Sequence, residues 1–501
     1  MALRHILPET IMDITLQLHK PVASAAITIT GSKSETNRLL LLQALYPGIS
    51  IQNISESDDS IAMQNALAST GDVIDIHHAG TAMRFLTAYF ALQDGRSITL
   101  TGSQRMRERP IGVLVDALRS LGATIEYIEN EGFPPLKITG QQLTKGSVAI
   151  NAGVSSQYIT ALLLIAGRLK NGLELTLEGE LTSIPYIKMT LGLLNEVGIE
   201  NSFEGNTITV KSAMGNGQLA MSNKQRAMGN EQWANLNEEK SQNTNTKLQA
   251  EEQSAMGNGQ SAISNKQLAD PSEAQSEILN LKSEISKQIV VESDWSSASY
   301  FYSIVALADE GTTITLSSYK QNSLQGDSAL AEIYKELGVE TVFKDNSITL
   351  TKLNHQPATI NLELNNTPDI AQTIAVTCFG LGTGCHLTGL HTLKIKETDR
   401  LEALKTELEK FGAILSVTNH SLSLQPHNLF NPSEAHSLSF GEGRGEAVVF
   451  VATYNDHRMA MAFAPLAIKT PVGINDAGVV SKSYPTFWED MKALGFIINT
   501  L

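Results

Sequence analysis

Apolar residues along this chain recur at spacings of three and four, stop at a glycine, and give way to short β-like runs. Leu114, Leu118 and Leu121 lead into Gly122 and then Ala-Thr-Ile-Glu-Tyr-Ile. Leu330, Ile333, Tyr334 and Leu337 lead into Gly338 and Val-Glu-Thr-Val-Phe. Leu401, Leu404, Leu408 and Phe411 lead into Gly412 and Ala-Ile-Leu-Ser-Val. Such spacing puts one apolar stripe on one helix face. A terminal glycine takes the left-handed conformation that closes a helix without a Cβ clash. Fainter copies end at Gly71, Gly198 and Gly495. The pattern predicts six helix–glycine–strand units, three before residue 212 and three after residue 290. An α/β protein of two similar lobes follows.

Two cores also suit 501 residues, a length at which one compact core stops growing. Between the two sets of units the chain changes character. Residues 212–225, SAMGNGQLAMSNKQ, return almost unchanged as residues 254–267, and residues 226–239 fit the same 14-residue frame. This stretch is rich in Asn, Gln, Ser and Ala. It holds too little large apolar surface to offset its ordering entropy. The expected organisation is a low-complexity, mostly disordered insertion over 212–286 and a shorter loop insertion over 428–448.

Composition narrows the function. The formal net charge is −15, which argues against nucleic acid or an anionic membrane as partner. Met1–Leu18 shows no secretory pattern, and no apolar run is long enough to span a bilayer. The two cysteines, Cys378 and Cys385, lie in an apolar, Gly-rich stretch with no metal-ligand spacing, so buried free thiols are expected. A cytoplasmic protein fits these features.

Against this acidic background, basic side chains cluster at turn–helix junctions. Gly31-Ser-Lys-Ser-Glu-Thr-Asn-Arg38 follows a β-like run and precedes an apolar one, where free backbone N–H groups favour an anion. It lacks the P-loop order. Four more segments share that character: His78–Arg84, Arg105–Gly112, Lys394–Arg400 and Asn455–Arg458. Any one alone is a solvated charged face. Gathered in one cleft, like charges about 4 Å apart repel by roughly 4 kcal/mol at an effective dielectric near 20. Phosphates and carboxylates of small substrates would offset that repulsion.

GSKSETNR, HAGTAMR, RERPIG, SSQ (Ser155–Gln157), DWSSASY (Asp294–Tyr300), NSLQGD (Asn322–Asp327), KETDRL (Lys396–Leu401) and YNDHRMAM (Tyr454–Met461) resemble, in order, the signature segments of the 3-phosphoshikimate 1-carboxyvinyltransferases. The resemblance covers essentially the whole chain outside the two insertions. It implies two lobes, each of three βαβαββ units, with the active site between them. One lobe would comprise residues 1–31 with 292–501, and the other residues 32–211.

The resemblance further implies enolpyruvyl transfer from phosphoenolpyruvate to the 5-hydroxyl of shikimate 3-phosphate, by addition and elimination, in chorismate biosynthesis. Lys33, Gly80, Arg84, Arg109, Gln157, Arg400, Arg458 and Lys482 would contact phosphoenolpyruvate. Lys33, Ser34, Arg38, Ser155, Ser156, Gln157, Ser183, Tyr186, Asp369 and Lys396 would hold shikimate 3-phosphate. Asp369 would accept the hydroxyl proton, and Lys33 and Glu397 would handle protons at the enolpyruvyl carbons. Thr367-Pro-Asp369 also reads as a helix start, a role compatible with catalysis. The implied protein is a monomer without cofactor or metal. The related transferase acting on UDP-N-acetylglucosamine usually carries a cysteine in its first half, and this chain has none there. His78, Phe85 and Thr392 depart from the usual Asn, Pro and Asn, which leaves the response to glyphosate, the family's inhibitor, open.

Overall fold

Five of the six glycine-terminated helices close as the pattern predicts, in a computed structural model that describes residues 12–22, 24–151, 153, 155–179, 184–213, 287–427 and 448–501. Helices Gly112–Leu121, Ile184–Glu196, Leu330–Lys335, Arg400–Glu409 and Phe487–Ala493 run into Gly122, Gly198, Gly338, Gly412 and Gly495, all at positive φ. Each is followed by the outermost strand of a four-stranded sheet: Thr124–Tyr127, Asn201–Glu204, Val339–Lys344, Leu415–Val417 and Ile497–Thr500. Each of these strands turns back antiparallel on its neighbour. The sixth site differs. Helix Asp58–Ala68 ends at Ser69 with φ −68°, and Gly71 is not left-handed. The strand beyond it, Val73–Asp75, joins Ser97–Thr101 in parallel and needs no tight reversal.

All five four-stranded sheets share one layout, a parallel pair followed by two antiparallel strands. The sixth sheet, among the described residues, is the parallel pair Ile49–Gln52 with Lys287–Val290. The first two strands of the chain sit with its second half. Ile14–Gln17 lies between Val472–Ile474 and Ile497–Thr500, and Ala25–Ile27 pairs with Thr313–Ser317.

Two apolar cores result. One is built from Ile14–Ile29 together with Trp295–Phe496, the other from Leu39–Val291. Their central helices are buried nearly all round. In Trp295–Leu307 every residue but Ser296 is buried, and the hydroxyls of Ser299 and Ser303 meet Thr373 and Thr377 of helix Ala371–Leu381. Buried hydroxyls are tolerated because each has a partner. Cys378 and Cys385 are free and buried. No helix among the described residues is long and apolar enough to cross a membrane. Of the two insertions expected over 212–286 and 428–448, residues 214–286 and 428–447 lie outside the described residues.

The chain passes between the bodies twice, side by side. Gly31 bridges Ser293, and the Ser32 N–H donates to the Glu292 carbonyl at 2.7 Å. Glu35, one turn into the helix that starts there, is buried. Burial raises its pKa from the usual 4.5 to about 7; Lys320 lowers it, while Glu292 and Glu196 raise it.

Two outcomes follow from these local geometries. A Cβ at Gly412 would meet no atom within 4 Å, so only its φ of 87° opposes substitution. Gly412→Ala is expected to lower stability by about 1 kcal/mol with turnover unchanged, read by urea denaturation. For Glu35 the folded pKa lies above the unfolded one, so its contribution is fully present below about 4.5 and is lost as pH rises through about 7. Glu35→Gln should therefore stabilise the chain by about 3 kcal/mol at pH 8 relative to its effect at pH 4.5. Urea midpoints of both proteins across that range would show it.

Candidate active site

The charged centre of the larger body is built at helix starts. Asp369 stands in the turn Pro368–Ile370 that opens helix Ala371–Leu381. Its Oδ1 lies 2.9 Å from Arg400 Nη1 and 3.4 Å from Lys396 Nζ. Its Oδ2 lies 3.4 Å from Arg458 Nη2 and accepts the Tyr186 hydroxyl, from the other body, at 3.2 Å. Burial alone would raise the carboxyl's pKa, but Lys396, Arg458 and Arg400 hold it well below the usual carboxylate range.

Arg400 is 2% exposed and binds three carboxylates: Asp456 at 2.6 Å, Glu397 at 2.8 Å and Asp369 at 2.9 Å. Burial disfavours its charge, and these acids more than restore it. Glu397, a third exposed, is likewise held well below its usual range: partial desolvation opposes ionisation, while Arg400, Lys396 and Lys33 favour it. Arg458 also donates to the Asp369 carbonyl at 3.1 Å and to Ser296 Oγ at 3.3 Å. His457 is buried; desolvation, then Lys33 and Arg458, push its pKa well down, so the ring is neutral. Its Nδ1 has no hydrogen-bond partner. Lys482 Nζ donates to the Asn455 carbonyl at 2.9 Å and to the Asn455 side chain.

The smaller body brings its own cations. Lys33 is the first residue of helix Lys33–Leu45, with Nζ 3.5 Å from Asp59. Gly80 opens helix Gly80–Ala91 beneath two guanidiniums. A Cβ there would lie 2.5 Å from Arg109 Nη1 and 3.2 Å from Arg84 Nη1. Arg84 is anchored on the carbonyls of Gly80 and Pro110. Burial, then the nearby Arg109 charge, lowers its pKa to about 10. Gln157 reaches Thr81 Oγ1 at 3.3 Å, and Ser155 caps helix Ser156–Ala166. Ser34 and Tyr186 border a cavity of about 10 Å³ with Asp294, Ser296 and Asp327, and Ser156 is buried.

Arg38 is placed differently. Its guanidinium is 3% exposed and is bonded to Thr190, Thr160 and the carbonyls of Ser34 and Tyr186. Phe85, one of the three departures, lies against it at 5.5 Å. His78 is shifted downward by burial, with Asp59 opposing and Lys482 adding to the shift. Thr392 Oγ1 is buried without a hydrogen-bond partner. Ser183 lies outside the described residues.

Asp327, Asn455, Asp456 and His457 lie in the signature segments, but nothing in their spacing assigns them a role. Asp456 caps helix His457–Phe463, accepting the Arg458 N–H at 2.9 Å, and grips Arg400. An acid just before an apolar helix was the available signal. Asp327 accepts the hydroxyls of Ser296 and Thr367. No local spacing reveals those two partners.

The family model of EPSP synthase (3-phosphoshikimate 1-carboxyvinyltransferase) matches residues 62–218 and 269–491. The chain is 40% identical to the 3-phosphoshikimate 1-carboxyvinyltransferase of Bacteroides fragilis (strain YCH46), over 95% of this chain and 96% of that protein. It is 33% identical to the enzyme of the same name from Colwellia psychrerythraea, over 93% and 95% of the two chains. The fold is similar to that of EPSP synthase from Acinetobacter baumannii, with a TM-score of 0.68 at 18% identity, covering 98% of this chain and 100% of that one. With the family model matched over most of its length and a relative 40% identical over 95% of it, the chain belongs to the EPSP synthase (3-phosphoshikimate 1-carboxyvinyltransferase) family.

Proposed function

We propose that this chain joins phosphoenolpyruvate to the 5-hydroxyl of shikimate 3-phosphate, releasing phosphate, in the cleft between residues 32–211 and a body formed by residues 1–31 and 292–501. The observation that carries this reading is Asp369. It is an ionised, buried carboxylate with Lys396, Arg400 and Arg458 around it and Tyr186 reaching it from the opposite body.

An ionised carboxylate in a desolvated site is suited to accept a proton from a substrate hydroxyl. The 5-oxygen then bonds to C2 of phosphoenolpyruvate while C3 takes a proton from Lys33. The tetrahedral product expels phosphate from C2 and returns a C3 proton to the Lys33 and Glu397 pair, restoring the double bond. Arg84, Arg109, Arg400, Arg458 and Lys482 would face phosphoenolpyruvate, with Gly80 and Gln157. They stabilise the phosphate and carboxylate as charge moves onto the leaving group. Ser34, Ser155, Ser156, Ser183, Tyr186 and Lys396 would hold shikimate 3-phosphate. Arg38, bonded to the Ser34 and Tyr186 carbonyls, would set those two residues.

The cavity bordered by Ser34, Tyr186 and Asp327 is about 10 Å³, room for about one water molecule. That space is too small for shikimate 3-phosphate, so the bodies would part to admit it, and reclosure would exclude water from the reaction. The chain would act as a cytoplasmic monomer.

Phosphate release from the purified protein should require shikimate 3-phosphate and phosphoenolpyruvate together; release dependent on UDP-N-acetylglucosamine instead would overturn the assignment. Asp369→Asn should lower kcat at least about 100-fold, with a thermal melt confirming the fold. Gly80→Ala would press on the free end of Arg109, a side chain that can move. Its KM for phosphoenolpyruvate should rise about tenfold while stability and the KM for shikimate 3-phosphate hold, as separate substrate titrations would show.

A further inference from the structure

We propose that Glu407, which lies outside the groups assigned to either substrate, is a positioning residue that fixes the Tyr454–Asp456 turn and, through it, Lys482. The inference rests on the phosphoenolpyruvate site assigned above.

Glu407 is fully buried. Its Oε1 accepts the Tyr454 hydroxyl at 2.7 Å. Its Oε2 accepts the Ala452 N–H at 3.0 Å and Lys410 Nζ at 2.5 Å. A buried carboxylate is strongly unfavourable without such donors. Two of the three belong to one short stretch, just beyond strand Val449–Val451.

That stretch needs holding. Tyr454 and Asn455 are both left-handed, with φ of 54° and 57°. Residues with a Cβ adopt that conformation at a cost of order 1 kcal/mol each. The Asp456 N–H closes the turn on the Thr453 carbonyl at 2.9 Å. The turn then presents successive groups. The Asn455 carbonyl and side-chain oxygens take the Lys482 ammonium, and Asp456 takes Arg400 at 2.6 Å.

Arg400 and Glu407 share the helix Arg400–Glu409, two turns apart and so near one face. The helix thus clamps the turn at two points, Arg400 on Asp456 and Glu407 on Ala452 and Tyr454. With the second point removed, the turn can pivot about the first. Arg400 keeps its carboxylates, whereas Asn455 moves and carries the Lys482 ammonium with it. The effect should therefore fall on phosphoenolpyruvate rather than on both substrates.

The test uses the full chain with Glu407→Ala, Tyr454→Phe and Lys482→Ala, singly and with Lys482→Ala combined with each of the others. KM for each substrate and thermal melts would be recorded. Glu407→Ala should raise the phosphoenolpyruvate KM about tenfold and Tyr454→Phe about threefold, with the shikimate 3-phosphate KM within about twofold. In the Lys482→Ala background neither change should add to the phosphoenolpyruvate KM, because both act through that lysine. An unchanged KM in folded variants, an equal rise for both substrates, or additivity with Lys482→Ala overturns the proposal. If Glu407→Ala does not fold, Tyr454→Phe decides, since it leaves the carboxylate its other two donors. Lys482→Ala alone separates the two levels. No change there defeats the phosphoenolpyruvate assignment and this inference with it. A rise there with none for Tyr454→Phe defeats this inference only.

Discussion

Three cations share one buried carboxylate at the centre of this molecule, and much of the surrounding structure serves to keep them there. Lys396, Arg400 and Arg458 converge on Asp369, each from a different local element. Guanidiniums and ammoniums at that separation repel one another, and burial makes each charge more expensive. Asp369 alone does not balance them. Asp456 and Glu397 take two further sides of Arg400, and the Asp369 carbonyl and Ser296 take Arg458. Removing one partner of such a network leaves uncompensated charge, typically at a cost of about 3–5 kcal/mol. The network is therefore a structural commitment.

The architecture supplies this convergence through helix starts. Lys33, Gly80, Ser156, Arg400 and His457 each stand at the first residue of a helix, and Asp369 stands in the turn before one. Helix starts carry free N–H groups and partial positive charge. Turning several of them toward one space creates a region that favours anions before any side chain is added. The two antiparallel crossings at Gly31–Ser32 and Glu292–Ser293 lie beside that region. The helix bearing Lys33 and Ser34 leaves directly from one of them. A rotation at the crossings would alter the Tyr186–Asp369 and Asp58–Ser481 contacts between the bodies.

Much of the candidate site could be read from the chain because its groups lie in short segments of unusual composition. Arg105–Gly112 and Lys394–Arg400 stand out as cationic turns in an acidic protein. What such segments leave open is which way each side chain faces. Lys33 and Arg38 occur in one octapeptide, yet Arg38 is bonded inside its own body by Thr190, Thr160 and two carbonyls, while Lys33 sits beside Asp59. Five residues along a helix rotate the side chain by roughly 140° past one full turn, so the two side chains leave in different directions. Glu407 is harder still to read. In sequence it is one of several charges on an amphipathic helix, and only the turn beyond strand Val449–Val451 shows which partners it meets when buried.

The sequence by itself determined where five of these helices close, because glycine reaches the left-handed region without strain, and that information is local. It likewise pointed toward an anion site, because five basic turn–helix segments stand out in an acidic chain. Tertiary structure decided what depends on partners distant in the chain. Gly71 does not close its helix in the left-handed form, because the strand after it joins a neighbour in parallel. Ile14–Gln17 completes a sheet with strands from the far end of the chain. Asp369 stays ionised although buried, because cations from later segments surround it. A side chain's type is fixed by the sequence, but its charge state and direction depend on which neighbours packing brings within a few ångströms.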